Sequence, residues 1–120
     1  MKVYIAGPWA ERDAVRVFAG KVVEAGHDIT EAWWYHPEST DHTELVRQGF
    51  RDWDAVQEAD AMIVINSKKS EGKAVEMGLA LAYGLAPIIV VGPRTNIFHH
   101  LPNIFMVATG EEAIERLVRH

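Results

Sequence analysis

Residues 70–84 read SEGKAVEMGLALAYG, a run of small and apolar residues between two β-rich apolar segments, 61–65 and 87–91. Two short β-rich segments on either side of a helical pattern predict a β-α-β unit with parallel strands. The helix is expected to end at Gly84, because glycine is favoured just after the last helical turn. A unit of this kind is the repeating element of α/β domains.

Glu76 is the charged residue of this mostly apolar helix that lies more than one turn from its start. A carboxylate gains from the helix dipole mainly within the first turn, so the dipole accounts poorly for this position. Burying an unpaired carboxylate is costly, and strongly perturbed groups of this kind cluster at functional sites. Glu76 is therefore a candidate catalytic residue. The alternative is a carboxylate that merely suits the helix dipole.

The rest of the chain alternates strands and helices in the same manner. Expected strands are 2–6, 28–35, 61–65, 87–91 and 104–108, and expected helices are 10–25, 43–59, 70–84 and 111–119. This order predicts an α/β fold, a flavodoxin-like (Rossmann-like) three-layer sandwich whose five-stranded parallel sheet has the order 2-1-3-4-5. A chain of 120 residues suffices for one such domain and is too short for two, so residues 1–120 are expected to form a single domain.

Composition limits the possible functions. Seventeen acidic and twelve basic residues give a net charge of −5, which disfavours nucleic acid polymers as partners. No apolar run approaches the roughly 18 residues that span a bilayer, so no membrane association is expected. The lack of cysteine excludes disulfides and thiol catalysis, and a cytoplasmic location is expected. The histidines lack the spacing of metal ligands, so neither a metal nor a cofactor is predicted.

A second carboxylate could come from the helix expected over residues 43–59, where Asp52 and Asp54 flank Trp53. Their side chains diverge by about 200° around a helix of 3.6 residues per turn. At most one of them can therefore point into a site near the sheet. Paired with Glu76, it would supply the two carboxylates that cleavage at an anomeric carbon requires.

The turn after the first strand is a candidate binding loop. Gly7, Pro8 and Trp9 follow that strand directly, at the carboxyl edge where open α/β sheets bind ligands. A glycine–proline pair also occurs in ordinary turns. The aromatic residues 33–35 could wall a planar ligand or simply pack against the next helix.

Three segments together match the pattern of a known family: 3–9 (VYIAGPW), 51–60 (RDWDAVQEAD) and 70–78 (SEGKAVEMG). On these segments the sequence resembles nucleoside 2-deoxyribosyltransferases and the related 2′-deoxynucleoside 5′-monophosphate N-hydrolases. The resemblance implies cleavage of the N-glycosidic bond of a small nucleoside or nucleotide substrate, with the sugar passed to water or to another nucleobase. It also implies a homo-oligomer, a dimer or higher, with residues 33–35, Phe50 and Trp53 as candidate interface residues.

The resemblance also implies catalytic roles. Glu76 would be the nucleophile that forms a covalent glycosyl intermediate. Asp52 would be the second catalytic carboxylate in preference to Asp54, because it lies eight residues before Asp60, the residue that opens strand three. Tyr4 of the first strand would hold the nucleophile.

Substrate-binding residues are expected in the loop after the first strand and at the start of the central helix: Gly7, Pro8, Trp9, Arg12, Ser70 and Gly72. The loop lacks the Gly-Ser-x-Arg-Gly-Gly phosphate motif of the hydrolases, whereas a serine at position 70 is common in them. Hydrolase and transferase therefore both stay open. The alternatives are a non-catalytic nucleotide-binding module and an enzyme that cleaves the nicotinamide–ribose bond of NAD.

Overall fold

The structure is a computed structural model, and it describes residues 1–119. Within this range the chain forms five strands, β1 (Lys2–Ala6), β2 (Asp28–Ile29), β3 (Ala61–Ile65), β4 (Ile88–Val91) and β5 (Ile104–Val107). Its α-helices are α1 (Arg12–Glu24), α2 (His42–Glu58), α3 (Glu71–Tyr83) and α4 (Gly110–Arg119). Short 3-10 helices occupy Trp9–Glu11, Trp33–Tyr35 and Ile97–His100.

All neighbouring strands pair in parallel, in the order β2-β1-β3-β4-β5. The predicted α/β fold and strand order are confirmed. Because crossovers between parallel strands are right-handed, α1 lies on one face of the sheet and α2 and α3 lie side by side on the other. The buried centre of the sheet is made by β1, β3 and β4, whose apolar residues face helices on both sides.

The second strand is shorter than predicted. It ends at Ile29 instead of continuing to residue 35, and Trp33 and Trp34 lie in a 3-10 helix with only 6% and 8% of their surfaces exposed. The indole nitrogen of Trp33 donates to the carbonyl oxygen of Ile5 at 2.6 Å, which draws the segment across the sheet edge. These two rings therefore belong to the core, and the prediction that they form part of an interface is wrong.

Helix α2 begins directly after an aspartate that caps its N-terminus. The Asp41 side chain accepts a hydrogen bond from the backbone N–H of Glu44 at 3.0 Å. The Glu44 carboxylate does not complete a capping box, because it accepts from Arg47 and Gln48 instead. Among the helices of residues 1–119, none combines the length and apolar character that a membrane span requires.

Candidate active site

Glu76 of α3 meets Tyr4 of β1 inside the structure. The Tyr4 hydroxyl donates a hydrogen bond to Oε2 of Glu76. Tyr4 is fully buried in the middle of β1, and β1 pairs with β3 through the register Tyr4–Met62. A group anchored in the sheet therefore fixes the position of the carboxylate on the helix.

Burial raises the pKa of Glu76 to about 7. The hydrogen bond from Tyr4 acts in the opposite direction, and the nearby charge of Asp52 adds to the increase. The pKa of Tyr4 is raised far above its ordinary value, first by burial and then by the charges of Glu76 and Asp52. Tyr4 thus stays protonated and remains a donor, while Glu76 titrates near neutral pH.

Asp52 of α2 lines the same cavity as Glu76. Burial raises its pKa to about 6, with the charge of Glu31 adding to the effect and His36 and Arg51 opposing it. Its Oδ1 atom is buried and has no hydrogen-bond partner among residues 1–119. Buried polar atoms are nearly always paired in folded proteins, so an unpaired carboxylate oxygen at this position is unusual and is consistent with a functional role.

The choice between the two aspartates follows from helix geometry. Asp54 is exposed to solvent, whereas Asp52 is partly buried beside Tyr4 and Glu76. The structure therefore brings together the three predicted catalytic residues, Tyr4, Asp52 and Glu76.

The cavity between α2 and α3 has a volume of about 650 Å³, within the range of small-molecule sites. Its walls are largely apolar, and Asp52 and Glu76 supply the carboxylates. Gly72 also lines it, and a Cβ atom at this position would meet nothing within 4 Å. Core packing therefore does not demand glycine here, and the space beside Gly72 is open.

The predicted binding loop after β1 does not reach this cavity. Gly7, Pro8, Trp9 and Arg12 all lie outside its lining. The Trp9 ring packs against Trp33 with ring centroids 6.3 Å apart, and the Arg12 guanidinium lies 4.7 Å from the centroid of the Trp9 ring. Arg12 also donates to the carbonyl oxygen of Trp9 at 3.2 Å, so both side chains are engaged within the loop.

Ser70 is likewise separated from the carboxylates. Its hydroxyl caps α3 by accepting a hydrogen bond from the backbone N–H of Lys73 at 3.3 Å. The residue lines a different cavity on the other side of the helix. Of the six predicted substrate-binding residues, only Gly72 borders the cavity that contains Glu76.

Sequence reasoning missed a charged cluster next to Asp52. The Glu31 carboxylate contacts Nε2 of His36 at 3.2 Å and Nε of Arg51 at 3.6 Å. The contact with His36 is an ion pair when that ring is protonated. Glu31 lies two residues beyond β2, at the carboxyl edge of the sheet, and this position was the signal that could have revealed it.

No group of three or more histidine or acidic side chains within residues 1–119 is arranged to hold a metal ion. The arrangement consists of two carboxylates with raised pKa values, and a buried tyrosine holds one of them. Such a pair can combine nucleophilic attack with proton transfer.

Neither a family model nor a curated protein matches the chain. Solved structures do match it. The CMP N-glycosidase BcmB of Clostridium botulinum has 18% identity and a TM-score of 0.64, with 100% of both chains covered. The two chains share one fold over their whole length. A 2-deoxyribosyltransferase from Bacillus psychrosaccharolyticus has 17% identity and a TM-score of 0.72, with 95% of this chain and 90% of that chain covered.

A conserved protein from Enterococcus faecalis V583 has the same fold, with 14% identity and a TM-score of 0.74 over 99% of this chain and 98% of that chain. Coverage this complete means that the similarity includes the whole sheet and its helices rather than one shared motif. At these identities the similarity establishes the fold, and evidence for an activity must come from the residues of the cavity.

The raised pKa of Glu76 predicts how stability depends on pH. Between its ordinary pKa of 4.5 and about 7, the folded protein binds more protons than the unfolded chain, so this carboxyl group destabilises the fold as pH rises. Glu76→Gln cannot titrate. We therefore expect the free energy of unfolding of Glu76→Gln to exceed that of the unaltered protein by an amount that grows as the pH rises through this range. This difference should reach at most about 3 kcal/mol and then stay constant.

Urea unfolding at about pH 5 and about pH 8 measures this difference. Glu115→Gln, at an exposed position of α4, is the matched control and should parallel the unaltered protein. Parallel pH profiles for Glu76→Gln and the unaltered protein would show that Glu76 has an ordinary pKa.

Proposed function

We propose that the protein cleaves the N-glycosidic bond of a 2′-deoxynucleoside or its 5′-monophosphate through a covalent glycosyl–Glu76 intermediate. The sugar then passes to water or to another nucleobase. The observation that carries this proposal is the Glu76 carboxylate, held by Tyr4 and facing the same cavity as Asp52. The shared fold with an N-glycosidase and a 2-deoxyribosyltransferase supports it.

In the first step Glu76 attacks C1′ of the sugar. The hydrogen bond from Tyr4 holds Oε2, so the carboxylate is oriented before the substrate arrives, and Oε1 forms the new bond. The electron pair of the C1′–N bond leaves with the base. Asp52 in its protonated form donates a proton to the departing base, and its raised pKa of about 6 keeps a minor fraction of this group protonated near neutral pH.

In the second step a water molecule or an acceptor base attacks C1′ of the glycosyl ester. Asp52, now a carboxylate, takes the proton that the nucleophile loses. The ester bond breaks and its electron pair returns to Glu76. The Tyr4 hydroxyl stabilises the carboxylate as it leaves, because Tyr4 remains a donor throughout.

The proposed activity can be tested by chromatography of free bases. The protein is incubated with a panel of 2′-deoxynucleosides, their 5′-monophosphates and NAD, with and without a second free base. We expect release of base from a deoxy substrate, and none with Glu76→Gln. Formation of a new nucleoside when the second base is present would identify a transferase.

Other results of the same experiment would contradict the proposal. Release of nicotinamide from NAD alone would favour an NAD glycohydrolase. Saturable binding of a deoxynucleotide without release of any base would favour a non-catalytic binding module.

We also propose that the protein is a homo-oligomer, a dimer or higher. Phe50 and Trp53 of α2 stack with ring centroids 6.0 Å apart, yet 56% and 46% of their surfaces are exposed. Val75 of α3 is also exposed beside them at the mouth of the cavity. A contiguous apolar surface of this kind favours association with another copy of the chain.

Light scattering at micromolar concentration should give at least twice the 13.5 kDa of one chain. Phe50→Glu, which places a charge in this surface, should shift the population to the monomer. Val17→Glu, at an exposed apolar position of α1, is the matched control and should leave the mass unchanged. A mass of 13.5 kDa for the unaltered protein would disprove association.

A further inference from the structure

A second cavity, of about 900 Å³, lies beside α3 on the same face of the sheet. Within the described residues, the link between β4 and β5 contains only the 3-10 helix Ile97–His100, whereas the earlier crossovers contain α-helices. The space next to α3 is therefore not covered by a further α-helix. The end of β3, α3 and the loop after β4 line this space.

This cavity is separate from the one that contains Glu76. In α3, Met77 and Leu81 line the second cavity, whereas Gly72 and Leu79 line the first. At 100° per residue the two sets project from roughly opposite sides of the helix. Over residues 1–119 the two cavities have no lining residue in common, so a molecule in the second cavity does not occupy the space in front of Glu76.

The wall of the second cavity contains a buried ammonium group. Lys73 is only 6% exposed, and its Nζ donates to Oδ1 of Asn66 at 2.7 Å and to the carbonyl oxygen of Lys68. An ammonium group has three N–H donors, so these acceptors account for two of them. None of the ion pairs within residues 1–119 involves Lys73. A buried cation without a counter-charge is costly, and burial lowers the pKa of Lys73 accordingly.

The groups around Lys73 are held in place by further hydrogen bonds. Nδ2 of Asn66 donates to the carbonyl oxygen of Pro93 at 2.7 Å and to Oγ1 of Thr95 at 3.1 Å, which leaves Oδ1 directed to Lys73. His99 is buried, and its Nδ1 accepts from the backbone N–H of Thr95 at 3.0 Å. The polar end of the cavity is thus organised in advance, which reduces the cost of binding.

The remaining wall is mostly apolar and includes Val64, Met77, Leu81 and Phe98. Glu71, the acidic residue in the lining, is exposed at the start of α3 rather than placed against the ammonium group. A positive charge at one end of an apolar cavity matches a molecule with an anionic group and an apolar body.

We propose that this second cavity binds a small organic anion, a phosphate monoester or a carboxylate carried by an apolar group. Its negative charge is neutralised by Lys73, and its apolar body lies against Val64, Met77 and Leu81. The proposal does not depend on the glycosidic activity, because the two cavities are lined by different residues.

Four probes separate the contributions of charge and apolar body: phenyl phosphate, benzoate, benzyl alcohol and inorganic phosphate. In titrations of the isotope-labelled protein followed by NMR, phenyl phosphate or benzoate should shift the amide resonances of Lys73, Thr95 and His99 in a saturable way. Benzyl alcohol lacks the charge and inorganic phosphate lacks the body, so each should bind at least about tenfold more weakly. The stronger of the two anionic probes identifies the anionic group.

Variants test the role of the ammonium group. Lys73→Met keeps an unbranched side chain and removes the charge, and should weaken binding of the anionic probe at least about tenfold. Lys21→Met, at an exposed position of α1, is the matched control and should bind normally. If Lys73→Met does not fold, Ala74→Trp provides a second test, because it fills the cavity from an exposed position of α3 and should abolish binding.

Two results would overturn the proposal. One is the absence of saturable shifts at Lys73, Thr95 and His99 in the unaltered protein at about 10 mM of either anionic probe, well above the Kd of an ordinary specific site. The other is unchanged affinity in Lys73→Met or Ala74→Trp. Either result would mean that Lys73 serves only to tie the β3–α3 loop to the helix.

Discussion

Glu76→Gln should lower the turnover of a 2′-deoxynucleoside substrate at least about a thousandfold, equivalent to about 4 kcal/mol of activation free energy. The amide oxygen of glutamine can still accept the hydrogen bond from Tyr4, so the side chain keeps its position and loses only the charge that attacks C1′. The rate loss should therefore accompany an intact fold. Steady-state kinetics, with circular dichroism as the check on folding, measures both.

Glu71→Gln is the matched control, because this glutamate is exposed in the first turn of the same helix. It should retain nearly all of the activity. Mass spectrometry adds a test that does not depend on rates, since a slowly processed substrate should leave a sugar adduct on a peptide that contains Glu76. A Glu76→Gln protein that kept about a tenth of the original rate would rule out Glu76 as the nucleophile.

Asp52→Asn should lower turnover about a hundredfold, the lower end of what a positioned acid or base contributes. Asp54→Asn should stay close to the unaltered rate, because Asp54 is exposed whereas Asp52 lines the cavity with Glu76. The two substitutions make the same chemical change two residues apart on α2. Their ratio therefore measures position rather than chemistry, and equal rates for the two variants would remove Asp52 from the mechanism.

The leaving group provides a further test of Asp52. If this residue donates a proton to the departing base, the defect of Asp52→Asn should shrink on a substrate whose leaving group departs without protonation. The defect of Glu76→Gln should persist on the same substrate, because attack on C1′ still requires a carboxylate. A loss that is equally large on both substrates would assign Asp52 to orientation of the sugar.

The pH dependence of the reaction should reflect the pair as a unit. Burial raises the pKa of Glu76 to about 7 and that of Asp52 to about 6, and the negative charge of Asp52 opposes ionisation of Glu76. The reaction requires one group charged and the other protonated, so kcat/KM should follow a bell-shaped profile. The alkaline limb of this profile reflects loss of the proton that Asp52 donates, so Asp52→Asn should remove that limb.

The order of the strands and the divergence of Asp52 and Asp54 were accessible from the linear chain. Alternating strand and helix patterns, with right-handed crossovers, leave few arrangements for five parallel strands. Position within one helix is also a local property, so the 200° between Asp52 and Asp54 could be obtained from helix geometry alone. The family resemblance supplied the assignment of Tyr4, which sheet geometry alone does not select.

Contacts between residues far apart in the chain decided the rest. Trp33 leaves the expected strand because its indole nitrogen reaches the carbonyl oxygen of Ile5, and its ring then packs against Trp9 of the predicted binding loop. The ion pairs of Glu31 and the Lys73–Asn66 bond likewise join separate elements. Local patterns record which residues favour a strand or a helix, whereas these contacts depend on which side chains meet once the sheet has assembled.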